Sequence, residues 1–248
     1  MTDRKMKVEV WSDIMCPFCY IGKRHYEQAL QQFRYKDQVK IEWKSFQLDP
    51  SIPETSEDGG SFRIKQNVSQ YLALRKGISY EEAVEMNEAV SGMALDAGLT
   101  YHLDKAIVAN SFKAHRLIQM AKTKGLDDQM EENLFRSYFT LGRDLGEIDT
   151  LTTIGLESGL TGEEVKEALS NDEYAYRVRQ DIAEARELGI QGVPFFIFNR
   201  KYAVSGAQPP AAFLQTLEKA YEEWKKEHPG TPFEVISGPS CTPDGDCS

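Results

Sequence analysis

Cysteine is scarce in this chain, four among 248 residues, and histidine is equally so. A chain of this length buries a real core, in one large domain or two small ones, without covalent staples. The cysteines are therefore free for chemistry. Apolar runs are short. Nothing approaches the roughly eighteen residues of a membrane span, and the N-terminal M-T-D-R-K-M-K-V has no stretch of signal-peptide type. The expectation is a soluble, cytoplasmic protein with no membrane partner. In that reducing compartment a lasting structural disulfide is not expected, and cysteine pairs are more often catalytic, redox-sensing or metal-binding. Positive charge is short too: 29 Lys and Arg stand against 39 Asp and Glu, a formal net charge of −10. That balance argues against nucleic acid and anionic membrane as partners. No second C-x-x-C exists and His25, His102, His115 and His228 are scattered, so a four-ligand zinc site has no support and no metal is expected. No internal repeat at a fixed period is present.

Against these absences stands Trp11 to Tyr20, W-S-D-I-M-C-P-F-C-Y, with Cys16 and Cys19 two residues apart. Ahead of it, K-V-E-V-W from Lys7 to Trp11 alternates like a half-buried strand. Behind it the period becomes helical, with Pro17 suited to a first turn and Ile21, Tyr26, Ala29, Leu30 and Phe33 forming an apolar stripe. Cys16 thus falls at a helix N-terminus, where thiols drop from about 8.5 to about 3.5–7.5 in pKa. Cys19, one turn deeper, is placed to attack a mixed disulfide on Cys16, the task of a resolving thiol. Cys16 is expected to be the more exposed and more acidic of the two. A structural disulfide over so small a loop would remove little chain entropy and make a poor staple.

The remaining pattern is read in order. Val39 to Leu48 alternates as a second strand, ended by Asp49 and Pro50, and S-I-P-E-T-S-E-D-G-G-S from Ser51 to Ser61 is a loop and module boundary. Helices are expected over Phe62 to Lys76, Ser79 to Ala97, Ser111 to Lys124, Asp127 to Leu141, a pair within Thr150 to Ser170, and Glu173 to Leu188. Ser79 with Glu82 and Thr161 with Glu164 have capping-box spacing, while Gly77, Gly98, Gly125 and Gly159 mark stops. Strands return at Val193 to Phe198 and Lys201 to Val204, joined by a turn at Asn199 and Arg200, before a helix from Pro210 to Glu227. This order predicts an α/β, thioredoxin-like unit split by an all-helical insertion. Its parts would be residues 1–60 and 190–232 for the two halves, 61–189 for the insertion and 233–248 for a cysteine-containing tail.

The strand ending in W-S-D, then C-P-F-C-Y-I-G-K-R, N-S-F-K-A-H-R from Asn110 to Arg116, and G-V-P-F-F-I-F from Gly192 to Phe198 resemble the DsbA-like family, with the closest match to its cytoplasmic FrnE-like subgroup. The resemblance spans Lys7 to about Trp224 and implies a thiol–disulfide oxidoreductase. It implies that Pro194 is cis and faces the cysteines, leaving Val193 to pair its backbone with a substrate at an open edge. The substrate would be a disulfide-containing protein or a small-molecule thiol, with no bound cofactor and glutathione or another thiol as co-substrate. Phe18 departs from the Trp or His common at its position. It cannot hydrogen-bond a thiolate, so a potential below that of the strongly oxidising periplasmic members is expected. Asp13 holds the loop, tunes proton transfer, or is a solvated turn residue.

Two further readings stay open. Asn110 to Arg116 is similar to a segment of kappa-class glutathione transferases and hydroxychromene carboxylate isomerases, which generally carry Ser where Cys16 stands; a redox sensor or binding module is the other. The tail G-P-S-C-T-P-D-G-D-C-S carries Cys241 and Cys247 around an Asp-Gly turn, resembling the second cysteine pair of FrnE-like proteins, though with a different spacing from that expected. It would relay oxidising equivalents, bind a metal transiently, or carry incidental thiols.

Overall fold

The structure, a computed structural model, describes residues 5–54 and 66–228. Strand β1 (Met6–Ser12) is followed by helix α1 (Pro17–Gln32) and by β2 (Val39–Ser45), which pairs with β1 in parallel. Two later strands, β3 (Phe195–Phe198) and β4 (Tyr202–Ser205), complete a sheet ordered β2-β1-β3-β4, in which β3 is antiparallel to both neighbours. Among the described residues, seven α-helices lie between β2 and β3: α2 (Val68–Lys76), α3 (Tyr80–Asp96), α4 (Phe112–Lys122), α5 (Asp127–Phe135), α6 (Ile148–Glu157), α7 (Gly162–Ser170) and α8 (Asp172–Glu187). Helix α9 (Pro210–Glu227) closes the described chain. This is the thioredoxin-like α/β arrangement with its helical insertion.

Alternation along β1 sorts the two faces of the sheet. Met6, Val8 and Val10 enter the main core with Tyr26 of α1 and Phe213 of α9, where Tyr26 stacks on Phe196 and Phe213 meets both rings edge-on, at centroid distances of 4.7–6.0 Å. Trp11 points the other way, against Ala185 of α8 and Ile190, and its indole N–H donates to Asp181 O at 3.0 Å. The stripe foreseen on α1 is the buried one: Ile21, Tyr26, Ala29 and Phe33 are buried, and Leu30 packs on the core.

Several boundaries differ from the sequence expectation, each for a local reason. β2 stops at Ser45 because the chain leaves the ladder, with Phe46 N donating to Ser12 O and Leu48 N to the Asp13 carboxylate. β3 begins only at Phe195, since Pro194 has no N–H for a ladder. β3 lies between β1 and β4, and Val193 and Pro194 precede it, outside the paired residues of both ladders. Helix α2 starts at Val68, with a reciprocal capping box between Asn67 and Gln70. The helix expected to run through Leu141 gives way after Phe135 to a π turn, Arg136–Thr140. The wider turn lets Phe135, Ser137, Tyr138 and Phe139 all face inward. Ser79–Glu82 and Thr161–Glu164 form both halves of their capping boxes, and Gly77, Gly98, Gly125 and Gly159 have φ of +67 to +95°.

Candidate active site

Cys16 is the N-cap of α1, with extended backbone (φ −90°, ψ 111°) and Pro17 at the first helical position. Its own N–H donates to Asp13 O at 2.9 Å, and Cys19 N donates to Cys16 O at 3.0 Å. Both cysteines are free thiols, and both are buried, at 4% and 1% exposure. Cys16 is therefore far more enclosed than its place at a helix start suggested. What separates the two is their surroundings: Cys16 lines a cavity of about 460 Å³, and Cys19 does not. Burial pushes the Cys19 thiol well above its ordinary range, and the adjoining Cys16 adds to the shift.

The Cys16 thiol donates to Val193 O at 3.5 Å, and the Val193–Pro194 bond is cis. Pro194 O accepts from Gly206 N at 2.8 Å, which ties this loop to the end of β4. Gly22 allows the approach from the other side, because a Cβ there would lie 2.9 Å from Pro194 Cγ. Phe18, 37% exposed, stands on the cavity wall beside Cys16.

Asp13 is 1% exposed, which removes the solvated-turn reading. One carboxylate oxygen accepts from Met15 N at 3.2 Å and the other from Leu48 N at 2.7 Å. Asp13 thus braces the three residues before Cys16 against the chain leaving β2. His115, fully buried on α4, brings Nε2 to 3.5 Å from Asp13 Oδ1, and neither ring nitrogen has a hydrogen bond.

The helical insertion contributes further groups that sequence reasoning did not single out. Tyr101 donates to Pro17 O at 2.7 Å, and burial, with Cys16 close by, holds its phenol well above the usual range, so it stays a donor. Tyr20 stacks on Phe135 at 4.9 Å and donates to Glu132 at 2.6 Å. Lys23, 2% exposed, pairs with Glu27, Asp128 and Glu132, while Arg24 reaches Glu27 and Glu132. Burial opposes ionisation of Glu132, yet the Tyr20 hydrogen bond and the charges of Lys23 and Arg24 hold it below the usual carboxylate range. The Asn110–Arg116 segment proves to be a joint. Asn110 bonds Gln47, Ile52 O and Phe112 N, and Arg116 donates to Ala168 O and Asn171 O. Only the helical register of this segment, placing His115 inward, could have signalled its meeting with Asp13.

Cys241 and Cys247 lie outside the described residues. Among the described residues no group of three or more His, Cys, Asp or Glu is placed to hold a metal ion, and no helix is long and apolar enough to cross a membrane.

A C-x-x-C at a helix start, facing an X-Pro loop in a four-stranded mixed sheet, defines a thioredoxin-like dithiol protein. The family model of the DSBA-like thioredoxin domain matches residues 7–218, and the chain belongs to that family of thiol oxidoreductases. It is 27% identical over 222 residues to the uncharacterized protein YwbO of Bacillus subtilis (strain 168), covering 89% of this chain and 98% of that one. It is similar in structure to a probable DsbA oxidoreductase, SCO1869, from Streptomyces coelicolor, with a TM-score of 0.80, 36% identity and 98% of each chain covered. The cytosolic disulfide reductase DsbM from Pseudomonas aeruginosa, solved with GSH, shares the fold at a TM-score of 0.57 and 15% identity, over 89% of this chain and 98% of that one.

Proposed function

We propose that the chain is a thiol–disulfide oxidoreductase in which Cys16 attacks and Cys19 resolves. The observation that carries this reading is the asymmetry of the pair: Cys16 opens onto a cavity, and Cys19 sits behind it with its proton held by burial. The Cys16 sulfur, as thiolate, attacks one sulfur of a bound disulfide, and the other sulfur leaves. Helix α1 directs its unpaired N–H groups at the developing charge. Cys19 then attacks Cys16 Sγ and gives up its proton to the departing sulfur, leaving a Cys16–Cys19 disulfide. Two electrons have passed to the substrate, and a low-molecular-weight thiol restores the dithiol. Glutathione, with which DsbM was solved, is the thiol to try first. Run in reverse, the same steps oxidise a substrate. The setting that suits such an exchange is the cytoplasm, with protein or small-molecule disulfides as partners.

Insulin reduction with dithiothreitol tests the reading, beside glutathione-conjugation and isomerase assays. Cys16→Ser should abolish reduction, and Cys19→Ala should accumulate mixed disulfides that do not resolve. A Cys16→Ser variant with full activity would overturn the assignment.

A further inference from the structure

The cavity beside Cys16 has Met15, Cys16 and Val193 on one side and α2 with α3 on another, through Leu72, Met86 and Val90, and the segment after β2, the stretch before α4 and the π turn complete its lining. Its volume of about 460 Å³ falls within the roughly 300–1,000 Å³ of small-molecule sites. The two methionines give an adaptable, polarisable lining that favours aromatic rings.

Several polar groups of the wall are committed to one another, and the exposed Lys76 lines it as well. Arg75 pairs with Asp49 and bonds Tyr71, Asn87 donates to Ser69, and Asp13 is taken up by Met15 N and Leu48 N. A peptide buried here would bring amide groups that find few partners, at about 1–3 kcal/mol for each group left unpaired. The same cost falls on glutathione, with its two amides and ionised ends. An apolar body pays none of it.

Building on the dithiol reading above, we propose that this cavity seats one half of a small-molecule disulfide with an apolar, ring-sized body and so selects apolar disulfides as substrates. The reactive S–S bond lies against Cys16. Attack by the Cys16 thiolate breaks that bond and releases one half as a thiolate, which takes a proton from water. The other half stays in the cavity, joined to Cys16. Attack by Cys19 forms the Cys16–Cys19 disulfide and expels it as the thiol, carrying the Cys19 proton. Dithiothreitol, a dithiol reductant, then restores both cysteines.

The test compares dithiodipyridine, an uncharged aromatic disulfide at mildly alkaline pH, with hydroxyethyl disulfide, which is small and polar. Their intrinsic reactivities differ, so the readout is the change each variant causes for each substrate. Met86 is 41% exposed, so Met86→Glu changes the lining without disturbing the core. Val90→Trp fills the space from the same helix. Both should lower kcat/KM for dithiodipyridine about tenfold, mainly through KM, which corresponds to about 1.4 kcal/mol. Turnover of hydroxyethyl disulfide should change less than about twofold. Dipyridylethane, a non-reducible isostere, should bind wild type and Cys16→Ser equally by calorimetry and fail to bind Val90→Trp. Equal effects on both disulfides, or no binding of the isostere to wild type, would overturn the proposal. If neither disulfide is reduced while the isostere binds, the dithiol reading fails and the cavity assignment stands.

Discussion

Replacing Asp13 by Asn keeps the size of the side chain and one carbonyl oxygen, but turns the second acceptor into a donor. That second position faces a backbone N–H, of either Met15 or Leu48, with the two acceptors now at 3.2 and 2.7 Å. One charge-assisted hydrogen bond is lost and a donor is set against a donor. Bonds of this kind contribute about 1.5–3 kcal/mol, and for a chain of this length each kcal/mol moves the melting temperature by about 2–4 °C. Asp13→Asn should therefore melt about 3–12 °C below wild type, measured by circular dichroism on the reduced protein. The consequence reaches the thiol, because the Cys16 N–H is held by Asp13 O and Leu48 lines the cavity. Iodoacetamide should label the variant's Cys16 faster in stopped-time assays, as the loop loosens. A melting temperature within about 1 °C of wild type, with unchanged labelling, would refute the brace.

Two other outcomes follow from the same geometry, and a third from the sequence of the tail. Gly22→Ala gains about 1 kcal/mol of helix propensity but forces a Cβ to within 2.9 Å of Pro194 Cγ; overpacking at about 1–3 kcal/mol should win, and a variant more stable to urea than wild type would show that the Pro194 loop yields freely. Glu131, 1% exposed with Oε2 unpartnered, is pushed well above the usual carboxylate range by burial, against the pull of Lys23. An acid raised in the folded state contributes stability fully below its unfolded pKa of about 4.3 and loses it as pH rises toward the folded value, so Glu131→Gln should flatten that loss in urea titrations run upward from about pH 4.3. A Cys241→Ser, Cys247→Ser double variant should reduce insulin normally yet reoxidise more slowly; unchanged reoxidation would make the pair a bystander.

The strand leading to Trp11, the helix after Cys16 and the long helices bounded by Ser79 and Thr161 were legible because each is set by neighbours along the chain: period, cap and stop glycine. What was hidden depends on distant partners. Glu131 sits beside Glu132 in an acidic helix and reads as surface, yet its side chain turns under α1, where Lys23 is also buried. The π turn after Phe135 answers to the rings of Tyr20 and Tyr101, from separate parts of the chain. The enclosure of Cys16 arises because Tyr101, Val193 and the wall of α2 and α3 converge on it, and no local pattern encodes that convergence.

The groups that fix the C-x-x-C helix come largely from outside the strand–helix–strand unit that carries it. The Pro17 carbonyl is held by Tyr101, Tyr20 and Arg24 by Glu132, Lys23 by Asp128 and Glu132, and the carboxylate beside His115 of α4 holds the preceding loop. Lys23 is buried while its carboxylate partners are partly open to water, so removing those carboxylates leaves an enclosed charge with less to balance it. The helical insertion is then part of the support of the helix that carries Cys16. Changes made in α5 to alter substrate choice will reach Cys16 through Glu132 and Tyr20, whereas changes at the exposed Met86 of α3 leave that support in place. On the proposed reading, substrate choice is varied without touching that support from the side of the cavity that α2 and α3 provide.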